Sequence, residues 1–319
     1  MNIAVLGAGA WGSALASSLA AYHRVTLWGR DGVQMSSLAK TGYNSAYLPG
    51  VRLHGALGYS DNLEQILAAH AAPSDLIIVA TPLSALRDCF RAIAGSGSSA
   101  AVLWLCKGVE RESKLLPHQI AAEVLNDETA FGVLSGPSFA QEVAQSLPCA
   151  DFASSLHHAN LRIYHSTDVI GVEIGGALKN VLAIAAGICD GMKLGLNARA
   201  ALLTRGIAEM MRLGHALGAQ TATLNGLAGV GDLILTATGG LSRNRTVGLE
   251  LAAGRRLEAI TQNLGHVAEG VLCAHAMKAL ADDAGVDMPI TDAVCAVLDG
   301  LSPQEALQQL LMREPSREA

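Results

Sequence analysis

Residues 1–20 read MNIAVLGAGAWGSALASSLA: an apolar run, three glycines spaced G-x-G-x-x-G, then small and apolar residues suited to a helix. Each glycine answers a separate demand. Gly7 allows a tight turn, Gly9 lets backbone approach a pyrophosphate, and Gly12 permits close packing of helix on strand. The helix that follows offers free N–H groups and the positive end of its dipole to the phosphates. The glycine pattern alone is a weak signal. Placed directly after a strand-like run and directly before a helical one, it predicts a dinucleotide-binding fold.

Further apolar runs extend that reading. RVTLW (24–28), DLIIVA (75–80), AVLWL (101–105) and AFGVL (130–134) are mostly too continuously apolar for a sheet with one wet face, which predicts buried parallel strands. Helices are expected between them at 11–21, 61–70, 83–93, 115–125 and 138–145, with Asp61 as an N-cap. The alternation predicts an α/β fold, an N-terminal Rossmann-type doubly wound sheet, with LRIYH (161–165) closing its edge. From about Asp168 the strand-like runs stop. Segments at 172–189, 197–217, 245–253, 267–285, 291–299 and 303–312 follow helical periodicity, punctuated by Gly or Pro. The expected organisation is a dinucleotide-binding domain over 1–167 and an all-helical C-terminal substrate and catalytic domain over 168–319.

Composition narrows the class of partner. Half of the 319 residues are hydrophobic and 16% are charged, so there is material for a sizeable core. A net charge of -6 with no long basic run argues against nucleic acid or an anionic membrane surface. No uninterrupted apolar stretch approaches the roughly 18 residues that span a bilayer. The start lacks a basic n-region, so no signal peptide is expected. Six scattered cysteines without a CxxC pair fit reduced thiols in a cytoplasmic protein, and no histidine spacing suggests a metal.

The second strand bears on the choice of dinucleotide. An acidic residue at its end would bond the ribose 2′-hydroxyl of NAD(H), whereas an arginine there would pair with the 2′-phosphate of NADP(H). The strand ends LWGRDG, which places Arg30 directly after it and leaves Asp31 to start the next helix. NADP(H) is therefore favoured. NAD(H) remains open if Asp31 faces the ribose instead.

Four clusters elsewhere carry chemistry. EIGGALKNVLAIAAG (173–187) holds a single basic residue, Lys179, in a small and apolar run, where burial would pull its pKa down. WLCKGVE (104–110) puts Lys107 just past a core strand, and SGPSFAQE (135–142) is a Gly-Pro turn leading into a helix. GLAGVGDLILTATGGLSRNRTVG (226–248) is a loop-like stretch containing Asp232 and then Ser242, Arg243, Asn244 and Arg245. Ser, Arg and Asn in sequence make an anion clamp, a guanidinium fork flanked by neutral hydrogen-bonding groups. Taken singly each has an ordinary alternative. Lys107 reads also as a surface lysine, Asp232 as a helix N-cap, SRNR as a solvated turn, and Lys179 as a lysine snorkelling to water.

Taken together, GAGAWG, CKG, SGPSFA, GGALKNV, AGVGDL, SRNR and VAEG resemble, in order and approximate spacing, the bacterial-type NAD(P)-dependent glycerol-3-phosphate dehydrogenases over nearly the whole chain. The resemblance implies a Rossmann domain followed by a helical domain with the active site between them. It implies reversible reduction of dihydroxyacetone phosphate to sn-glycerol 3-phosphate in the cytoplasm, supplying phospholipid synthesis. By the same matching, Lys179 is the catalytic lysine, and Lys107, Gly136, Ser138, Asp232, Ser242, Arg243 and Asn244 join it on the substrate side. Beside the glycine loop, Ala10, Trp11, Arg30, Lys107, Ala140, Arg243, Val267 and Glu269 fall at cofactor positions. Ala10 stands where many members carry serine, and the segment between Pro148 and Gly171 is shorter than the family's.

Hydride arriving at a ketone carbon leaves charge on oxygen, which needs a stabilising group and a proton. Lys179 is expected to supply both, with Asp232 positioning it or binding a substrate hydroxyl. Two other readings are a hydroxy-acid or acyl-thioester dehydrogenase and a non-catalytic NADP(H)-binding protein. The partner expected is a small phosphorylated triose, with neither nucleic acid nor membrane, and the helical half leaves room for a homodimer.

Overall fold

A computed structural model describes residues 1–137, 166–264 and 268–313. Six parallel strands form one sheet: β1 (Asn2–Leu6), β2 (Arg24–Trp28), β3 (Gly58–Ser60), β4 (Leu76–Val79), β5 (Ala101–Trp104) and β6 (Phe131–Val133). Their order is β3-β2-β1-β4-β5-β6, so the winding reverses between β1 and β4. Leu6 stands opposite both Trp28 and Val79, Val79 opposite Trp104, and Trp104 opposite Val133. The carboxyl ends of five strands therefore share one edge, where ligands of open α/β sheets bind. Residues 3–6 and 76–79 are almost wholly buried, as strands covered on both faces must be.

Helices α1 (Ala10–Leu19), α2 (Gly32–Thr41), α3 (Leu63–Ala69), α4 (Leu86–Gly95) and α5 (Pro117–Val124) connect the strands. Two details differ from the expectation. The N-cap of α3 is Asn62, whose side chain accepts from Gln65 N, while the backbone carbonyl of Asp61 accepts from the Trp28 indole. Helix α2 and strand β3 also lie in a stretch that shows no clean periodicity. The helix expected at 138–145 and the strand expected at 161–165 fall outside the described residues.

The second half is helical. Helix α6 (Val169–Gly191) is followed by α7 (Leu196–Ala216), α8 (Thr221–Leu224), a π-turn at Leu227–Gly231, α9 (Asp232–Thr238), α10 (Arg243–Ala252), α11 (Leu257–Leu264), α12 (Glu269–Asp283), α13 (Pro289–Leu298) and α14 (Pro303–Leu311). The stretch 226–248, expected to be loop, is thus largely helical, and α11 is an addition. By length and hydropathy α6 is the one described helix that could cross a bilayer, but 89% of its most apolar window is buried inside the fold. It is the central rod of the helical core, with Ile174, Leu178, Leu182 and Ile184 against Met210, Leu233, Val247 and Met277.

The chain divides into two compact units. The first holds Met1–Cys106, Pro117–Leu134 and the chain up to Val169; the second holds Lys107–Leu116, Ser135–Pro137 and the chain from Ile170. A single boundary at 167 misses two short stretches that leave the first half of the sequence to join the second unit. Their attachment has a plain cause. Val109 and Leu116 are buried in the same apolar cluster as α6, and the stem of Lys107 lies over Gly176.

Backbone contacts hold α6 against its neighbours. A Cβ on Gly175 would come within 2.7 Å of the Ala228 carbonyl oxygen, and one on Gly187 would collide with the carbonyl oxygen of Arg245. A Cβ on Gly248 would collide in turn with the carbonyl of Ile184. Here glycine is required by close approach of one backbone to another.

Candidate active site

In the first unit the loop after β1 has the shape of a phosphate cradle. Gly7 adopts φ +127° and donates its N–H to the Trp28 carbonyl, and a Cβ there would press on the Ala80 carbonyl at 2.7 Å. A Cβ on Gly12 would overlap the Gly7 carbonyl oxygen, whereas one on Gly9 would meet nothing within 4 Å. Gly9, the N-cap of α1, supplies no capping side chain, so the first N–H groups of that helix stay available for an anion. Those residues fit a dinucleotide pyrophosphate. Ala10 and Trp11 are the first two residues of α1, and Trp11 is half-buried. The loop is braced from behind: Gln34 Nε2 and the buried Asn44 Nδ2 both donate to the Ala8 carbonyl at 3.0 Å, and Asn44 also reaches Ser13 Oγ at 2.7 Å. Neither brace was visible in the sequence.

Asp31 is the N-cap of α2, its Oδ1 accepting from Val33 N and Gln34 N. Arg30, between β2 and that cap, is exposed and forms no hydrogen bond or ion pair among the described residues. A carboxylate engaged with two backbone amides and a free guanidinium beside it describe the end of β2.

The second unit contains the chemistry. Lys179 on α6 is 8% exposed, and its Nζ lies 2.5 Å from Oδ1 of Asp232, itself 1% exposed. Burial first, and then the positive charge of Lys107, lower the lysine pKa to about 8 against the opposing pull of Asp232 and Glu269. Asp232 opens α9 but does not cap it, because Gly231 occupies the N-cap. Instead its carboxylate turns to the lysine, and the Thr236 hydroxyl donates to its backbone carbonyl at 2.6 Å and lies 3.4 Å from Oδ1. Asp232 Oδ2 is buried and has no hydrogen-bond partner among the described residues.

Glu209 is another buried carboxylate of the helical half. That buried carboxylate accepts from Ile290 N, Thr291 N and the Thr291 hydroxyl, so both its oxygens are satisfied at the start of α13. Its role is structural. Asp232 instead keeps one acceptor unpaired beside an ammonium, which suits a ligand hydroxyl.

The SRNR segment separates into distinct roles. Ser242 is the N-cap of α10, accepting from Arg245 N, and Asn244 is buried, donating to Asn180 Oδ1 at 2.8 Å while accepting from Gly270 N at 3.0 Å. Arg245 is engaged by Asp190, with Nε and Nη2 at 3.0 and 2.7 Å from its Oδ2. Arg243 is exposed and forms no hydrogen bond or ion pair among the described residues, which makes it the member of the run available to an anion. Glu269 opens α12 and its Oε2 lies 3.5 Å from Asn180 Nδ2. Asn180 thus ties α6, α10 and α12 together, a third residue the sequence reading missed. Gly136 adopts φ +144° in the turn after β6. Ser138, Ala140 and Val267 lie outside the described residues, as do positions 148–165 of the shortened segment. No cluster of three metal-ligating side chains occurs among the described residues.

Comparison with known proteins agrees over the whole length. The family model described as NAD-dependent glycerol-3-phosphate dehydrogenase N-terminus matches residues 2–161, and that of the corresponding C-terminus matches 168–308. Proteins named glycerol-3-phosphate dehydrogenase [NAD(P)+] from Cupriavidus pinatubonensis and Ralstonia nicotianae are 56% and 53% identical, covering 98% and 100% of this chain and 96% and 99% of theirs. A crystal structure of glycerol-3-phosphate dehydrogenase from Coxiella burnetii superposes with a TM-score of 0.91 at 38% identity, covering 98% of this chain and 99% of that one.

Proposed function

The chain belongs to the NAD-dependent glycerol-3-phosphate dehydrogenase family, and we propose that Lys179 is the group through which it reduces dihydroxyacetone phosphate to sn-glycerol 3-phosphate. The chain is an oxidoreductase using NAD(H) or NADP(H). When bound, the reduced nicotinamide supplies the hydride. The glycine loop, Gly7, Gly9 and Gly12 with the N-terminus of α1, holds the pyrophosphate, and Trp11 flanks it.

The observation that carries the mechanism is the buried Lys179–Asp232 pair with its one unsatisfied oxygen. The Lys179 ammonium donates to the carbonyl oxygen, stabilises the charge that develops there and delivers the proton. A pKa near 8 lets the same amine accept that proton when the alcohol is oxidised. Asp232 Oδ1 fixes the ammonium, and Oδ2 accepts a hydrogen bond from a substrate hydroxyl. Arg243 and Lys107 supply positive charge for the phosphate. Asn244 and Ser242 act by holding α10 in register so that Arg243 is presented. The substrate is a small phosphorylated triose, and the cytoplasmic setting and supply of phospholipid synthesis follow from the family reading.

The direct experiment follows the absorbance of NADPH and of NADH with purified protein and dihydroxyacetone phosphate. Rapid oxidation is expected; no oxidation with either cofactor, in protein that binds it, would overturn the substrate assignment.

The free guanidinium of Arg30 beside an Asp31 engaged in capping supports a preference for NADP(H). Arg30→Ala is expected to raise the KM for NADPH by about tenfold or more, the loss of a charge-assisted phosphate contact, and to leave that for NADH nearly unchanged. Equal effects on the two cofactors would show that Arg30 does not read the 2′-phosphate.

A further inference from the structure

Among the described residues, two buried side-chain atoms lack a hydrogen-bond partner, and they are in the same unit. One is Asp232 Oδ2. The other is the hydroxyl of Ser135, in the turn that follows β6. The other serines buried among the described residues are satisfied. Ser13 Oγ accepts from Asn44, Ser17 Oγ from His54 N, Ser242 Oγ from Arg245 N, and Ser98 Oγ bonds both the His70 carbonyl and Ala100 N. An unmet buried hydroxyl costs stability, so its persistence in an otherwise satisfied fold points to a partner that arrives with a ligand.

The position of Ser135 identifies the ligand. A Cβ built on Gly176 would lie 3.2 Å from Ser135 Oγ and 3.4 Å from Lys107 Cγ, so hydroxyl and lysine stem meet over that glycine. Gly176 is three residues before Lys179 on α6, hence on the same side of the helix. Lys107 is also close enough for its charge to depress the pKa of Lys179. The hydroxyl therefore shares one turn of α6 with two ammonium groups. An ammonium donates and cannot accept, so neither lysine can take the serine proton, but the hydroxyl can donate to any electron-rich oxygen that the two cations draw in. The turn continues with Gly136 at positive φ and then Pro137, whose ring fixes its own φ.

We propose that Ser135 is a further substrate-binding residue, its hydroxyl donating to an oxygen of the phosphorylated ketone gathered by Lys107 and Lys179. The inference rests on the substrate reading above. It is tested with Ser135→Ala and Ser135→Cys, the second keeping the volume while weakening the hydrogen bond. Steady-state kinetics are measured with dihydroxyacetone phosphate and NADPH, and melting is measured without ligand. Both variants are expected to raise the KM for dihydroxyacetone phosphate about tenfold and to leave the KM for NADPH in place. The ligand-free melting temperature is expected to hold or rise, because an unsatisfied polar group has been removed.

A KM unchanged in both variants would overturn the proposal. So would a ligand-free melting temperature lowered by alanine and restored by cysteine, since that marks a packing role. The wild-type protein and Lys179→Ala are run alongside. Wild-type turnover abolished by Lys179→Ala, with Ser135 variants at wild-type KM, overturns the serine alone. Absence of wild-type turnover overturns the substrate reading itself.

Discussion

Lys179→Ala is expected to lower kcat for dihydroxyacetone phosphate reduction by about 10³-fold or more, with the KM for NADPH unchanged. The size follows from two functions residing in one group. Proton donation by a positioned acid contributes about 10²–10⁴-fold, and a charge aimed at the developing alkoxide contributes on a similar scale. The cofactor cradle belongs to the other unit of the chain, so it is expected to survive the substitution. The same group sets the pH dependence. Reduction needs the ammonium, so kcat/KM for the ketone should fall as pH rises through about 8, the lowered value of Lys179. Oxidation of the alcohol needs the neutral amine and should rise through the same point. A pH profile flat through about 8 in both directions, together with near-normal turnover in the alanine variant, is the result that would remove Lys179 from this role.

Asp232→Asn carries the second large effect. Asp232 raises the pKa of Lys179 against the stronger depression from burial and from Lys107. Removing its charge therefore lowers that pKa below about 8, and the alkaline limb of the reduction profile moves to lower pH. At neutral pH the lysine loses protonated population as well as its fixed partner at 2.5 Å. A misplacement of about 1 Å at a reacting centre costs about 10²-fold, and kcat is expected to drop by at least that. Stability also suffers, because removing the carboxylate charge leaves the buried Lys179 ammonium uncompensated, at a cost of about 3–5 kcal/mol. Asp232→Asn keeps the shape and one acceptor oxygen, so melting measured beside the pH profile separates lost stability from lost catalysis. A limb that stays in place in Asp232→Asn would mean that the carboxylate does not govern the lysine.

The elements most legible in the sequence were those whose signal is local. β1, β4 and β5 are almost wholly apolar runs, β2 sets Val25, Leu27 and Trp28 beside Arg24 and Thr26, and Gly7, Gly9 and Gly12 sit where a backbone constraint is written in residue type. β3 is three half-buried residues, Gly58–Ser60, and carries no apolar run to find. The stretch 226–248 reads as loop because glycine disfavours helix in isolation. It folds as π-turn and helix where Gly175 lets α6 approach its backbone at Ala228 and Gly229, a long-range circumstance. Lys179 could be singled out because a lone cation in an apolar run is anomalous. The division of labour within SRNR could not, since it depends on Asp190 reaching Arg245 across 55 residues. Ser135 was invisible for the same reason: a serine after a strand means nothing until its hydroxyl is found buried and unpaired.

The contacts along α6 bear on how such a site can change over evolutionary time. Where helices meet through side chains, their spacing drifts in small steps as residues grow or shrink. Here Gly175, Gly187 and Gly248 bring main chain against main chain, and there is no side chain left to trim. The separation of the segments bearing Lys179, Asp232 and Arg243 is therefore a fixed gauge. A lineage that came to prefer a longer or shorter substrate would have to alter the reach of groups on the rim, Arg243 foremost, while the frame beneath them stayed as it is.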